Sequence, residues 1–258
     1  MDPSIATAYH IYAPNTTILR YSIQNVRFLS AGTTKPAFVV LPTCPADAQA
    51  AVACSRTHGL RIRIRSGGHD YEDMSYVSAG DDPFVVVDIS SLRSVSVDAA
   101  DGTAWVVTGA TVGEVYYNVA AGFSGGGIGM MMTKHGTAAD NIVDALMLDA
   151  RGEILHRESM DGDLFWAIRG GGAASFGVVL SYKIRLVHVP PKVTVFSITI
   201  TLKQGATKLV ERWQHVAPKL VDDLTVRDND EDVEGIGRWG RIVDEDVEGI
   251  GRWGECHG

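Results

Sequence analysis

Three cysteines in 258 residues, Cys44, Cys54 and Cys256, are too few for a disulfide framework and poorly spaced for a zinc site. Cys54 occupies an apolar position in "PADAQAAVACSRTHG" and is expected on a buried helix face. No apolar run approaches the roughly eighteen residues that a membrane span needs. The opening "MDPSIATAYHIYAPNTT" lacks the charged, apolar and small-residue regions of a signal peptide, which implies either an intracellular chain or a missing true N-terminus. Excess basic charge is absent too. The formal net charge is -8, and it resides almost wholly in residues 222 to 258, where 12 acids face 4 arginines. The remaining body is neutral, so it offers no basic footprint for phosphate backbones and excludes nucleic acid as a partner.

What the chain does contain is glycine, 28 residues, within a 45% apolar composition sufficient for one large or two modest cores. Pro45 and Gly59 bracket a helix. "LRIRIR" alternates with period two, as a half-buried strand does, and "PFVVVDIS" and "TAWVVTGA" read as two more strands. "TVGEVYYNVA" has helical spacing. "DALMLDARGEILH" reads as a hairpin turning at Arg151 and Gly152, and "DGDLFWAIRGGG" as a short helix begun by an aspartate and ended by glycines. "GVVLSYKIRLVHV" and "VTVFSITITL" are strands, and "ATKLVERWQHVAPKL" is an amphipathic helix. The irregular alternation favours an α+β fold over a doubly wound parallel sheet. In the tail, "DEDVEGIGRWG" runs from Asp230 to Gly240 and again from Asp244 to Gly254. Two copies make no solenoid, and the acidity and glycines predict disorder over residues 226–258.

Three segments concentrate the glycines: "RSGGHDY" (65–71), "FSGGGIG" (123–129) and "IRGGGAASFG" (168–177). None matches the dinucleotide fingerprint G-x-G-x-x-G, and none carries the Lys-Ser/Thr of a P-loop. Each alone reads as an ordinary turn. Together they read as backbone nests that admit an anion such as a pyrophosphate.

"RIRSGGHDYEDMSYVS", "GTAADNIVDALMLDARGEIL" and "DLFWAIRGGGAASFGVVLSYKIRLVHVP" resemble the FAD-binding domain of plant berberine-bridge-enzyme-like oxidases, within the vanillyl-alcohol-oxidase group that includes grass group-4 pollen allergens. The resemblance covers roughly residues 20 to 205. It implies a PCMH-type FAD-binding domain of two α+β subdomains, about 31–95 and 96–190, after an N-terminal segment 1–30 and before the start of a truncated substrate domain, 191–225. It also implies FAD bonded through His69 to the 8α-methyl of the flavin ring, chemistry suited to a neutral, nucleophilic imidazole. By the same resemblance Arg65, Ser66, Gly67, Gly68, Asp70 and Tyr71 would surround the cofactor, with Arg65 and Ser66 facing phosphates. Ser124, Gly125, Gly126 and Gly127 would form a second wall, Asp140, Asn141 and Val143 would border the FAD, and Gly170 to Gly172 would pack beside it. Capping of a helix or turn is an equal reading for Asp140. His135 is a marginal candidate beside the second loop.

Two departures from the family's pattern bear on function. Only Ala121 and Gly122 bridge the helix and the second glycine segment, with no cysteine nearby, so no second, cysteinyl link to the flavin is expected. The segment that carries the family's catalytic base has no counterpart, so no catalytic residue is assigned. The resemblance implies an oxidase that takes an alcohol-type substrate (carbohydrate, monolignol or alkaloid) with dioxygen as acceptor. The alternative is a non-catalytic remnant of a flavin domain. Family kinship further implies a secreted or cell-wall glycoprotein, with Asn15 in "NTT" as the acceptor. No membrane partner is expected, and the oligomeric state is left open.

Overall fold

The computed structural model describes residues 11–12, 23, 25–30, 32–69, 74–75, 77–78, 82–111, 114, 127, 132–188, 193–220, 224–231 and 236–244. The chain divides into two compact units, Met1–Gly127 with Thr137–Leu186, and Ile128–Gly136 with Val187–Gly258.

The first unit holds two sheets. One comprises β1 (Ile11–Tyr12), β2 (Phe38–Val40), β3 (Arg61–Arg65) and β4 (Phe84–Asp88) in the order β1-β2-β4-β3, with β2 and β3 parallel to β4 and β1 antiparallel to β2. The unbroken apolar run of β4 is what a strand covered on both faces requires, and all five of its residues are buried. Helix α1 (Pro45–Thr57) covers this sheet. Its buried positions are Ala48, Val52 and Ser55, whereas Cys54 is exposed. The expected buried Cys54 is thus corrected: with Ala48 and Val52 facing inward, residue 54 falls off that stripe.

The second sheet is wholly antiparallel. It contains β5 (Val95–Asp98), β6 (Thr103–Val107), β7 (Ile142–Leu148), β8 (Ile154–Leu155) and β9 (Val178–Arg185), in the order β5-β6-β9-β7-β8. The mixture of a largely parallel sheet and an antiparallel one makes the unit α+β. The expected hairpin is β7–β8, its turn closed by Asp149, whose carboxylate accepts from the amides of Arg151 and Glu153 at 2.8 Å each. From the first sheet's helix, Gln49 Nε2 donates to the Gly152 carbonyl at 2.9 Å and Arg56 to the Arg151 carbonyl at 2.8 Å. One cluster joins Val52 and Val87 to Leu148, Val178 and Leu180, so the two sheets share a core. A second cluster packs Phe165 and Ile168 against Val106, Met147 and Tyr182.

Of the segment predicted helical over 111–120, only Thr111 and Glu114 are described. The Glu114 carboxylate accepts from the Thr111 amide and hydroxyl, and the Glu114 amide donates back to that hydroxyl, a capping arrangement at the expected helix start.

The second unit holds α2 (Met132–His135), α4 (Ala206–Val216) and a sheet of β10 (Val193–Thr201), β11 (Leu224–Glu231) and β12 (Ile236–Asp244) in the order β10-β12-β11, all antiparallel. Strands over 226–231 and 236–244 correct the expected disorder there. The first copy of the duplicated motif supplies Ile236–Gly240 to β12, which pairs along the whole of β10, and this non-local pairing overrides the weak local preference of an acidic, glycine-rich segment. Among the described residues no helix is long and apolar enough to cross a membrane.

Candidate functional site

The loop that follows β3 carries the leading candidate, His69. Alternation along β3 moves from exposed Arg61 through half-buried Arg63 to Arg65, which is 2% exposed. Arg65 and Asp88 are register partners across the parallel pair β3–β4, and the guanidinium meets the Asp88 carboxylate through Nη2 and, at 3.0 Å, through Nε. The Asp88 carboxylate also accepts from the Ser90 amide at 3.0 Å. Arg65, expected to face phosphates, is held by the parallel register beside Asp88.

Beyond the strand the chain turns at Gly68 (φ 65°), a conformation that disfavours side chains. Gly67 lies under the ring of His69. A Cβ there would lie 2.4 Å from His69 Cδ2 and 2.8 Å from Nε2, so the imidazole rests on the bare Cα of Gly67. His69 is itself exposed. Ser66 Oγ donates to the Thr108 carbonyl at 2.6 Å, tying the loop to the end of β6 in the other sheet. The 3-10 turn Ala173–Ser175, which follows Gly170–Gly172, packs against β3. Two of the three glycine-rich segments therefore meet. Asp70, Tyr71, Ser124, Gly125 and Gly126 lie outside the described residues.

The other candidates gather elsewhere. Gly127 accepts through its carbonyl from the Ala138 amide at 3.0 Å, beside the turn that holds Asp140. The Asp140 carboxylate accepts from the Thr137 hydroxyl at 2.7 Å and amide at 2.8 Å. These two bonds hold its carboxyl below the usual carboxylate range, and Arg169 adds to the effect. Asp140 is a turn cap. Asn141 donates to the Thr137 carbonyl at 3.0 Å. Asp140 and Val143 line a cleft of about 590 Å³ together with Arg157, Phe165, Trp166 and Arg169. The guanidinium carbons of Arg157 and Arg169 lie 4.7 and 4.9 Å from the Phe165 ring centroid, favourable cation–π positions. No residue from 65 to 69 lines this cleft. The separation follows from register. Thr108, where the His69 loop is tied, bonds to Leu180, whereas Ile142 pairs with Ile184, four residues of strand or roughly 14 Å away.

Asp161 starts α3 (Gly162–Ala167), its carboxylate accepting from the Leu164 amide at 2.6 Å, and so sets Phe165 and Trp166 at the cleft. Asp161→Ala should lower stability by about 1 kcal/mol, seen as a shifted urea midpoint, and Asp161→Ser should recover most of it.

Tyr182 is no general base: burial pushes its pKa up, and its hydroxyl donates to the Ile168 carbonyl at 3.2 Å. His135 ends the single-turn α2 and is half-buried. Sequence reasoning missed Asp88 and Thr108. Laying "RIRIR" beside "FVVVD" in parallel register would have put Arg65 opposite Asp88; nothing local marks Thr108.

The fit of these residues to a flavin is mixed. An exposed imidazole, set on a braced loop with no side chain beneath it, suits a covalent attachment. The Arg65 guanidinium is taken up by Asp88.

Comparison with known proteins bears directly on this. The FAD binding domain family matches residues 36–124. The chain is 50% identical over 225 residues to berberine bridge enzyme-like Cyn d 4 of Cynodon dactylon, covering 80% of this chain and 43% of that protein. It is 49% identical over 230 residues to tetrahydroberberine oxidase of Berberis wilsoniae, covering 82% and 43%. The crystal structure of Phl p 4, a grass pollen allergen with glucose dehydrogenase activity, superposes with a TM-score of 0.85 at 39% identity, over 90% of this chain and 52% of that one. The chain spans somewhat under half the length of the curated relatives it matches. Helix α1, strand β3 and the His69 loop all fall inside the matched FAD-binding segment, and the chain belongs to the berberine bridge enzyme-like family of FAD-binding proteins.

Proposed function

We propose that the chain is the flavin-bearing part of an FAD-dependent oxidoreductase, with the cofactor bonded to His69 and an alcohol-type substrate oxidised at the expense of dioxygen. The observation that carries this reading is the imidazole of His69, exposed on a loop braced by both sheets and resting on Gly67. A relative named tetrahydroberberine oxidase and a similar allergen with glucose dehydrogenase activity support trying alkaloids and carbohydrates as substrates, with monolignols beside them. FAD held at His69 would supply the electron acceptor for a two-electron oxidation of an alcohol, with dioxygen as the terminal acceptor. The chain's residues hold and orient. Gly67 gives the imidazole room and Gly68 turns the loop. Secretion to the cell wall, with a glycan on Asn15, belongs to the same reading.

The second reading is a flavin-binding piece without turnover. It is favoured by the absence of cysteine between residues 111 and 131. One experiment separates the two. The full chain is incubated with FAD, precipitated in acid, washed, and in parallel assayed for peroxide on a panel of sugars, monolignols and alkaloids. A yellow pellet with peroxide release is expected. A yellow pellet without peroxide selects the second reading, and a colourless pellet overturns the bond to His69.

A further inference from the structure

We infer that Ser66 is the positioning residue for His69, and that it acts by its hydroxyl on the second sheet and not by touching phosphate. The inference rests on the reading that His69 carries the flavin.

Ser66 Oγ donates to the Thr108 carbonyl at 2.6 Å, a bond between residues 42 apart. Its acceptor is unusually well fixed. The Thr108 amide donates to the Leu180 carbonyl at 3.0 Å, and the Thr108 hydroxyl to the Val179 carbonyl at 2.6 Å. The next residue, Gly109, donates its amide to the Leu92 carbonyl at 3.1 Å and lies so near the chain that a Cβ would sit 2.0 Å from the Ile89 carbonyl oxygen. Thr108 cannot shift without moving β9 and the Ile89–Leu92 turn. Ser66 is thus moored to an immovable point.

On its other side the loop begins at Arg65, anchored to Asp88 in the first sheet. Two anchors in two sheets leave only Gly67 and Gly68 before His69. The Ser66 bond narrows the directions that two glycine backbones leave to the imidazole. Ser66 is exposed and belongs to none of the apolar clusters, so the packing of either sheet does not depend on its side chain.

The reaction served is stoichiometrically simple. An imidazole nitrogen bonds to the 8α-methyl carbon; one hydrogen leaves the imidazole N–H, one leaves the methyl, and with two electrons they reduce dioxygen to hydrogen peroxide. Such bond formation depends steeply on approach geometry, and a displacement of about 1 Å lowers rates about 100-fold in well-studied cases.

The test uses the full chain produced flavin-free, as wild type, S66A and S66T. After FAD is added, the fraction of bound flavin that resists acid precipitation is followed in time. In parallel, hydrogen exchange is measured on native protein, without flavin, for the amides of residues 67 to 69 and, as a folding control, of residues 85 to 87. For S66A the covalent fraction should grow about 10-fold or more slowly. Exchange at 67–69 should rise while 85–87 stays as in wild type, and S66T should restore both. A purely stabilising serine would raise exchange at 85–87 as well, and that result overturns the inference. So does S66A that attaches flavin at the wild-type rate, or that leaves exchange at 67–69 unchanged. Wild type that never retains flavin overturns the underlying reading of His69 instead, and the exchange comparison still decides whether Ser66 holds the loop.

Discussion

Replacing His69 with alanine should abolish acid-resistant flavin completely while leaving the fold intact. The side chain is exposed and outside all three apolar clusters, so its loss should change stability by no more than about 0.5 kcal/mol. The measurement is the absorbance of a washed acid pellet, alongside the urea midpoint of the soluble protein. A companion substitution sharpens it. In Gly67→Ala the new methyl would overlap the imidazole at 2.4 Å, forcing the ring aside, so flavin attachment should fall steeply although His69 remains. In the His69→Ala background the same Gly67→Ala change should be nearly silent for stability, because the overlapping group is gone. An unchanged rate of flavin attachment in Gly67→Ala would mean that the ring does not lie on Gly67. A yellow pellet from His69→Ala would place the bond on another residue.

The second large effect concerns Asp88. Its partner Arg65 is 2% exposed, so Asp88→Ala strands a guanidinium in the interior and removes the acceptor for the Ser90 amide. Breaking a buried pair from one side costs about 3–5 kcal/mol. Against a typical stability of about 5–15 kcal/mol, that is enough to make the chain poorly soluble at 37 °C. Replacing both partners together, Arg65→Met with Asp88→Leu, should recover most of the loss, since no charge is then left unpaired. Urea midpoints of the single and double variants decide it. Equal losses in Asp88→Ala and in the double variant would show that the pair is not what holds this end of β3 against β4.

Much of the first unit was legible in the sequence because its signals are local. Alternation placed β3, an unbroken apolar run placed β4, and Arg151 and Gly152 placed the β7–β8 turn. Asp161 announced the start of α3. What escaped depends on which strand lies beside which. Arg65 looks like a phosphate ligand when the motif is read alone; only the parallel register across 23 residues shows it facing Asp88. Asp140 and His69 belong to motifs that the family resemblance links to one cofactor, yet antiparallel pairing sets their supports at different levels of β9. Cys54 was misjudged for another reason. "PADAQAAVACSRT" is rich in small residues whose spacing fits several helix faces, and the neighbouring sheet selects among them. The strands in the tail escaped because β12 pairs with β10, whose partner residues lie 35 to 51 positions upstream, and β11 pairs with β12 in turn.

The shared cluster of Val52, Val87, Leu148, Val178 and Leu180 has a consequence for how the first unit can be handled. Neither sheet is an autonomous piece. Severing the chain between β4 and β5 would strip each fragment of the apolar partners that its inner face requires, so the halves should melt together in one transition, and neither half should accumulate as a soluble product when made alone.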